Sequence, residues 1–502
     1  MGGPGVELRM KLLRDAADQQ LVKPFRTNGW NAAIGSENPS GEYLIVEATK
    51  SGVTRRVGLL YSSATDNGVY KVLDATVDHI FTNGELYKID SFAYGISKPV
   101  APVGDFFPVL VAWNKELAPV SNKPLPPAGP RTVRIITSEN PLTGIWSRLD
   151  QFASVTLAEK LVARRAAELS IELPPEATKS KAAGLAFTIR NASDYFRDTP
   201  FESLNKRILS LYYGALALAS AEMMASPAGP TDLDEIEGIT KQGHGLYTVP
   251  SATDDFGGLS VGVLATGFFP RWVSFLGHDT SKYPKAKAKT SSDLEKQPAG
   301  TVVIMRELLS AIPELGDLFL EVYPTPPSWV TPVYQLQENK GGPGFGNNRA
   351  TGSSYIHLVD KSVRVQEKSI EEAGWPVAEI TTIPSTAENG QSFRVRVDHP
   401  GRQFWFEALQ LHRSPFKEGP SLIMPVLGDI SEHRILSVVT LYALSILVRY
   451  MPSAWRRIEG GDWDEHLALV KNAVGVFERL LPEQFLESII NERVSAKQPE
   501  RW

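Results

Sequence analysis

Two well-separated stretches of this chain are too apolar to face water on any side. Asn205 to Ala225 (NKRILSLYYGALALASAEMMA) is apolar on most faces, and Glu432 to Tyr450 carries the most apolar run, Ile435 to Val448. That run is shorter than the roughly 18 residues a membrane span needs, and it contains Thr440, Tyr442 and Ser445. Both stretches are therefore expected to be buried core helices packed against each other, since an all-round apolar helix must find an apolar partner. Such packing requires the chain to return on itself, so that distant segments build one core and the sequence between them forms an insertion or a flanking layer.

The chain has 502 residues, room for two to four domains at about 100–200 residues each. A hydrophobic fraction of 42% and a charged fraction of 22% are those of a globular chain. The net charge of −5 excludes a global basic footprint for nucleic acid but leaves room for a local patch. With no cysteine, disulfides, thiolate metal sites, iron–sulfur clusters and cysteine nucleophiles are excluded. No charged and then apolar leader opens the chain, so a cytoplasmic location is expected, with no membrane partner. Met1-Gly2-Gly3-Pro4-Gly5 reads as an added tag outside the fold.

Residues 7–23 have apolar positions near helical period, with Pro24 at the end. Gly41–Lys50, Ser51-Gly52 and Val53–Ser62 read as a hairpin. Val69–Phe81 reads as a helix stopped by Asn83-Gly84, and Val109–Trp113 as a short strand. Residues 7–117 are thus expected to form a small α/β module. Five prolines in 118–131 mark a semi-rigid linker, placed at 118–144. From 145 to 502 the chain is mainly helical: Leu157–Leu169, Ala182–Phe196, the two apolar helices, Trp463–Leu481, and Pro482–Val494 with proline in its first turn. A strand-rich middle spans 251–425, with Ser392–Val397 as a half-buried strand. Residues 282–297 and 340–352 read as loops. The overall class is α+β: a small α/β module followed by a large, mainly helical region with inserted strands.

Three segments carry a family resemblance. Asn191–Phe196, ending in Tyr-Phe, leads into Ile208–Ala221 (ILSLYYGALALASA). His244-Gly245-Leu246 follows that helix, and Leu441–Trp455 (LYALSILVRYMPSAW) closes the set. Their order and content resemble the YaaC-like protein family over about 145–500, although Asn205-Lys206-Arg207 stands where the family tends to have Lys-Pro. The resemblance implies a mostly helical domain with inserted strands and implies no activity. Residues 7–117 fall outside it.

Candidate chemistry in the N-terminal module rests on Glu37, Glu47 and Lys50. Acids preceding and ending a strand beside a lysine resemble nucleases of the PD-(D/E)xK class, in which carboxylates hold Mg²⁺ at the scissile phosphate. Glu37 and Glu47 would be the metal ligands and Lys50 the group that steadies the attacking water. The E-x-x-K spacing puts Glu47 and Lys50 on opposite faces of a regular strand, so the reading needs a bulge. Arg55, Arg56, Lys71 and His79 supply phosphate contacts if they share one surface; otherwise they are a solvated charged face.

In the larger region, His244 before glycine suits an acid–base group or a backbone hydrogen bond. Arg449, with Tyr450, Pro452 and Trp455, suits an anion site or compensation of its helix's negative C-terminal end. Arg456-Arg457 adds to the anion reading. The loop at 340–352 lacks the Gly-Lys-Ser/Thr ending of a phosphate loop. GxGxxG, GxSxG and HExxH do not occur, and no RxxxxH ribonuclease pattern fits on the late helices, so no nucleotide or redox cofactor and no patterned metal site is indicated. Two functions follow. One is a nucleic-acid-acting protein of a bacterial antiviral defence type, with an Mg²⁺-dependent nuclease module and a YaaC-like sensor or scaffold working on DNA or RNA. The other is a non-catalytic binding or assembly subunit with a protein partner or as a homo-oligomer.

Overall fold

The computed structural model describes residues 4–117, 132–197, 199–251, 254–334, 352–386 and 390–499. The Pro-rich run 118–131 and nearly all of the loop 340–352 lie outside the described residues. The chain divides into two units, one drawn from Met1–Asn122 and Gln335–Tyr355, the other from Lys123–Tyr334 and Ile356–Trp502.

In the first unit α1 (Pro4–Ala17) starts within the segment expected to be a tag, and a π turn over Asp18–Val22 continues it. Three antiparallel strands follow: β1 (Asn31–Glu37), β2 (Tyr43–Lys50) and β3 (Val53–Leu60). Ser51 and Gly52 join the last two with positive φ of 51° and 80°, the left-handed pair that a two-residue hairpin turn needs. A helix, α2 (Asn67–Thr76), crosses over to β4 (His79–Thr82), which pairs in parallel with β3 and with β5 (Val100–Pro102). The sheet order is β1-β2-β3-β4-β5.

The expected helix Val69–Phe81 is thus cut short. Asp66 caps its start by accepting from Gly68 N–H, and Val77 is already extended. His79–Thr82 is buried throughout as the strand between β3 and β5. The expected strand at Val109–Trp113 belongs to α3 (Phe106–Leu117). There Phe106, Leu110 and Trp113 are buried at helical spacing, which a short apolar run does not reveal by itself. Leu44, Val46 and Ala48 of β2 pack with Leu13 of α1 and with Phe106 and Trp113 of α3. Tyr43 and Ile45, of opposite parity, pack on the other side with Tyr70 and Leu73 of α2.

In the second unit β6 (Val133–Thr137) leads to α4 (Pro141–Leu149), α5 (Val155–Glu168), α6 (Pro175–Arg197) and α7 (Leu204–Ala225). Next come α8 (Leu233–Lys241), β7 (Leu246–Val249), β8 (Ser260–Val263), α9 (Phe268–Phe275), β9 (Val302–Ile304) and α10 (Met305–Ser310). A six-stranded sheet follows, in the order β12-β13-β11-β10-β15-β14. Its strands are β10 (Trp329–Val333), β11 (Ser353–Asp360), β12 (Val377–Thr386), β13 (Gly390–Asp398), β14 (Leu411–His412) and β15 (Ser421–Ile423). The chain then runs through α11 (His433–Tyr450), α12 (Pro452–Gly460) and α13 (Glu465–Ile490) to β16 (Arg493–Lys497), which pairs in parallel with β6.

The apolar helices α7 and α11 pack together, and α13 packs on both. Among the described residues one helix, α7, is by itself long and apolar enough to cross a membrane, and most of it is buried in this core. Trp463–Val494 does not split into two helices: α13 runs on through Pro482. Proline there removes one ladder bond, and buried Leu481, Phe485 and Leu486 on either side hold the helix in the core.

Candidate functional site

α7 presents two adjacent tyrosines. Tyr212 is buried, and its hydroxyl lies 2.9 Å from Nδ1 of His244. His244 is held in a tight loop between Gly243 (φ +96°) and Gly245 (φ +76°). A Cβ on Gly245 would stand 2.3 Å from Pro270, so the glycine is required twice, for its φ and for its closeness. The first amides of α9 fasten this loop: Phe268 N–H donates to Gly243 O at 2.9 Å and Phe269 N–H to His244 O at 3.0 Å.

α11 completes the group. The hydroxyl of Tyr442 donates to Leu246 O at 2.8 Å, and its ring lies 5.7 Å from Tyr212 and 5.8 Å from His244. Two turns further along α11, Arg449 donates to the hydroxyl of Tyr213 at 2.8 Å and covers the Tyr213 and Tyr450 rings at 5.8 and 5.0 Å.

Burial, and then the charge of Arg449, pushes His244 below its ordinary value. Burial pushes the Tyr212 phenol far up and Tyr442 up to about 12. At neutral pH a neutral phenol is therefore bonded to a neutral imidazole. With Nδ1 engaged by Tyr212, Nε2 is the ring nitrogen left for a ligand.

His244 and Tyr442 line a cleft of about 500 Å³ with Tyr247, Thr248, Lys287 and Lys289. Among the described residues no carboxylate lines it. The Tyr247 ring lies against Gly262, where a Cβ would strike it at 2.1 Å. The lysine-bearing segment, expected to be a loop, is anchored by buried Ala288 against Tyr247 and Val249, with Lys287 and Lys289 exposed on either side. Three segments far apart in sequence thus meet at one place, and Trp455 ties the third to the first by donating to Asn205 at 2.8 Å. Residues 150–489 match the family described as YaaC-like Protein. The chain belongs to the YaaC-like family. No curated protein and no solved structure gives a significant match.

Of the site residues expected from sequence, the YaaC-like unit brings His244 and Arg449 together. Arg456 is exposed on α12, beyond the 105° bend that separates this helix from α11, and is not part of the cleft lining.

The N-terminal candidates do not converge. Glu37 pairs with Leu44 across β1 and β2, so it lies on the α1 face, where Arg14 holds both its oxygens at 2.6 Å. Glu47 is three positions further along β2, about 10 Å away, on the opposite face, and bonds Arg56 at 2.8 Å. Lys50 donates to Asn28 O and Asn114 Oδ1, both at 2.9 Å. The only bulge between these strands is in β1, between Ile34 and Ser36; β2 runs in unbroken register against β3, so nothing turns Glu47 and Lys50 to one side. These residues do not assemble the expected Mg²⁺ site.

The basic set is also divided. Arg55 lies over the Trp113 ring at 5.4 Å, Arg56 faces Glu47, and Lys71 sits by Tyr94 at 5.5 Å. His79 is buried and stacked on Phe81 at 4.4 Å.

Tyr212, Tyr442, Lys287 and Lys289 were not singled out from sequence. Tyr212 and Tyr442 lie in the segments that carry the resemblance. The alternation Lys285, Lys287, Lys289 in 282–289 is the one signal that pointed to the lysines.

Proposed function

We propose that the YaaC-like unit recognises a phosphate-bearing ligand, a nucleotide or a nucleic-acid chain, in the cleft beside His244. The observation that carries this reading is the lining: two lysines and a neutral imidazole, with no carboxylate among the described lining residues. Lys287 and Lys289 supply charge at the rim. Nε2 of His244 supplies a directed polar contact beside them. The role is binding, the sensor half of a nucleic-acid-acting protein.

The test is a titration of the purified chain with fluorescent adenine and guanine nucleotides and with short single-stranded RNA and DNA, across a salt series. Reversing both lysines (Lys287→Glu with Lys289→Glu) is expected to weaken binding at least about tenfold, at about 1 kcal/mol or more per charge near a phosphate. The salt dependence should become shallower as well. Tyr212→Phe, which releases the His244 ring, should weaken binding several-fold while the chain stays folded. The reading fails if the wild-type chain binds none of these ligands at millimolar concentration, or if the double reversal binds as tightly as wild type.

A further inference from the structure

Away from that cleft, three metal-ligating side chains meet inside the second unit. Glu314 lies in the 3-10 turn Pro313–Leu315, His412 ends β14, and His433 opens α11. Glu314 Oε1 is 2.6 Å from His412 Nε2, and Oε2 is 3.4 Å from His433 Nε2. The Glu314 and His433 side chains are each 1% exposed and that of His412 6%. The two imidazoles stack at 4.3 Å and 10°, so both Nε2 atoms face one carboxylate.

The 2.6 Å contact is a hydrogen bond, but the other pair is not. Neither Glu314 Oε2 nor His433 Nε2 has a hydrogen-bond partner among the described residues; they stand in ion-pair range without the alignment of a bond. A buried acceptor and a buried ring nitrogen left without partners each carry a desolvation cost, and both border the same point.

The far sides of the rings are occupied. The Gln484 amide lies 3.3 Å from His433 Nδ1 and 3.5 Å from His412 Nδ1, and Ser437 Oγ is 3.4 Å from His433 Nδ1. A metal-bound imidazole donates its Nδ1 proton to an acceptor behind it, a role that Gln484 Oε1, 3.3 Å from His433 Nδ1, and Ser437 Oγ can fill, while the Gln484 Nε2 near His412 Nδ1 is a donor and turns away on metal binding. One ligand atom from each of the three residues lies within 4.8 Å of the others. Around a tetrahedral ion with bonds of about 2.1 Å such atoms are about 3.4 Å apart, so Glu314 Oε1 and His412 Nε2, at 2.6 Å, part to admit the ion while the wider-spaced atoms close in.

We propose that Glu314, His412 and His433 bind a divalent transition-metal ion of the zinc class, oriented by Gln484 and Ser437. Two imidazoles and one carboxylate are the donor set of zinc, cobalt and iron(II) rather than of magnesium or calcium, which take oxygen. The charge of Lys417, which acts on Glu314 and His412, opposes a cation at this point, so the ion is held by directed nitrogen bonds rather than by charge. Because the three residues are buried and come from a turn, a sheet strand and a core helix, the ion's role is to tie those elements together.

The untagged full-length chain is stripped with a chelator and titrated with Co²⁺ and Zn²⁺, following the visible d–d bands of cobalt, calorimetric stoichiometry and thermal midpoint. One ion per chain is expected, with bands of a low-coordinate nitrogen–oxygen site, displacement of cobalt by zinc, and a midpoint that rises with ion concentration. Glu314→Gln and His433→Gln should each abolish uptake. Gln484→Ala, which keeps all three ligands, should keep the stoichiometry but weaken affinity about 10–100-fold, and it carries the test if the ligand variants do not fold. Absence of uptake by the wild-type chain at about 100 μM ion, or uptake unchanged by Gln484→Ala, overturns the proposal.

Discussion

The same substitution, glycine to alanine, is expected to act with opposite sign at two helical positions of the second unit. Gly214 lies in α7 directly after the two tyrosines, where α6 and α7 press together. A Cβ there would stand 2.6 Å from two ring carbons of Phe196 and 3.0 Å from Tyr195 Cβ. Phe196 is buried and packs on Trp146 at 5.2 Å. Restoring ordinary contact means moving a packed ring by nearly 1 Å, and overpacking of that kind costs about 2–3 kcal/mol. Alanine returns about 1 kcal/mol through helix propensity, which leaves Gly214→Ala destabilised by about 1–2 kcal/mol. Gly475 sits inside α13 with nothing within 4 Å of a built Cβ, so Gly475→Ala receives the propensity gain with no clash and is stabilised by up to about 1 kcal/mol. Urea unfolding followed by tryptophan fluorescence and far-UV circular dichroism reads both. In a unit of this size each kcal/mol moves the thermal midpoint by only about 1–2 °C, so the urea midpoint is the better measure. A Gly214→Ala chain as stable as wild type, or one more stable than Gly475→Ala, refutes the packing argument for the α6–α7 contact.

Two further expectations concern buried charge. Burial pushes Glu487 up from 4.5 to about 7. A carboxyl raised in the folded state contributes stability that is full below about pH 4.5 and is lost as pH rises through 7. Glu487→Gln keeps an oxygen for the Val494 amide, which Glu487 meets at 2.7 Å. It should raise the thermal midpoint at pH 8.5 and leave it unchanged at pH 5; an equal gain at both values contradicts this. Glu222 is fully buried, with Arg434 at 2.9 Å and Trp272 Nε1 at 2.8 Å, and Ser488 also bonds it. Arg434→Met removes its nearest countercharge, leaving the more distant Arg165, and is expected to cost about 3 kcal/mol in urea unfolding, whereas a change below about 0.5 kcal/mol would show that the remaining partners suffice.

The hydrophobic pattern alone determined that Asn205–Ala225 and Glu432–Tyr450 are helices, that both are core, and that they pack on one another. Apolar surface of that extent has few places to go, and the argument needs no coordinates. The Ser51-Gly52 hairpin was legible for a similar reason, because few residue pairs accept two left-handed conformations. The order of the three family segments was legible as well.

Local pattern did not decide His79–Thr82, which is a strand because β3 and β5 flank it, nor Phe106–Leu117, which is a helix because its third- and fourth-neighbour residues are the ones buried. Pro482 reads as a helix start and lies inside one, since packing on both sides outweighs a single lost bond. Site geometry was less legible still. Whether Glu37, Glu47 and Lys50 share a face depends on where the bulge falls, and it falls in β1, away from the strand that needed it. Glu314, His412 and His433 follow no ligand spacing, because a turn, a sheet strand and a helix start bring them together from distant parts of the chain. Burial is a property that a sequence largely announces through its own composition. Convergence of side chains depends on the relative placement of elements that only the completed core supplies.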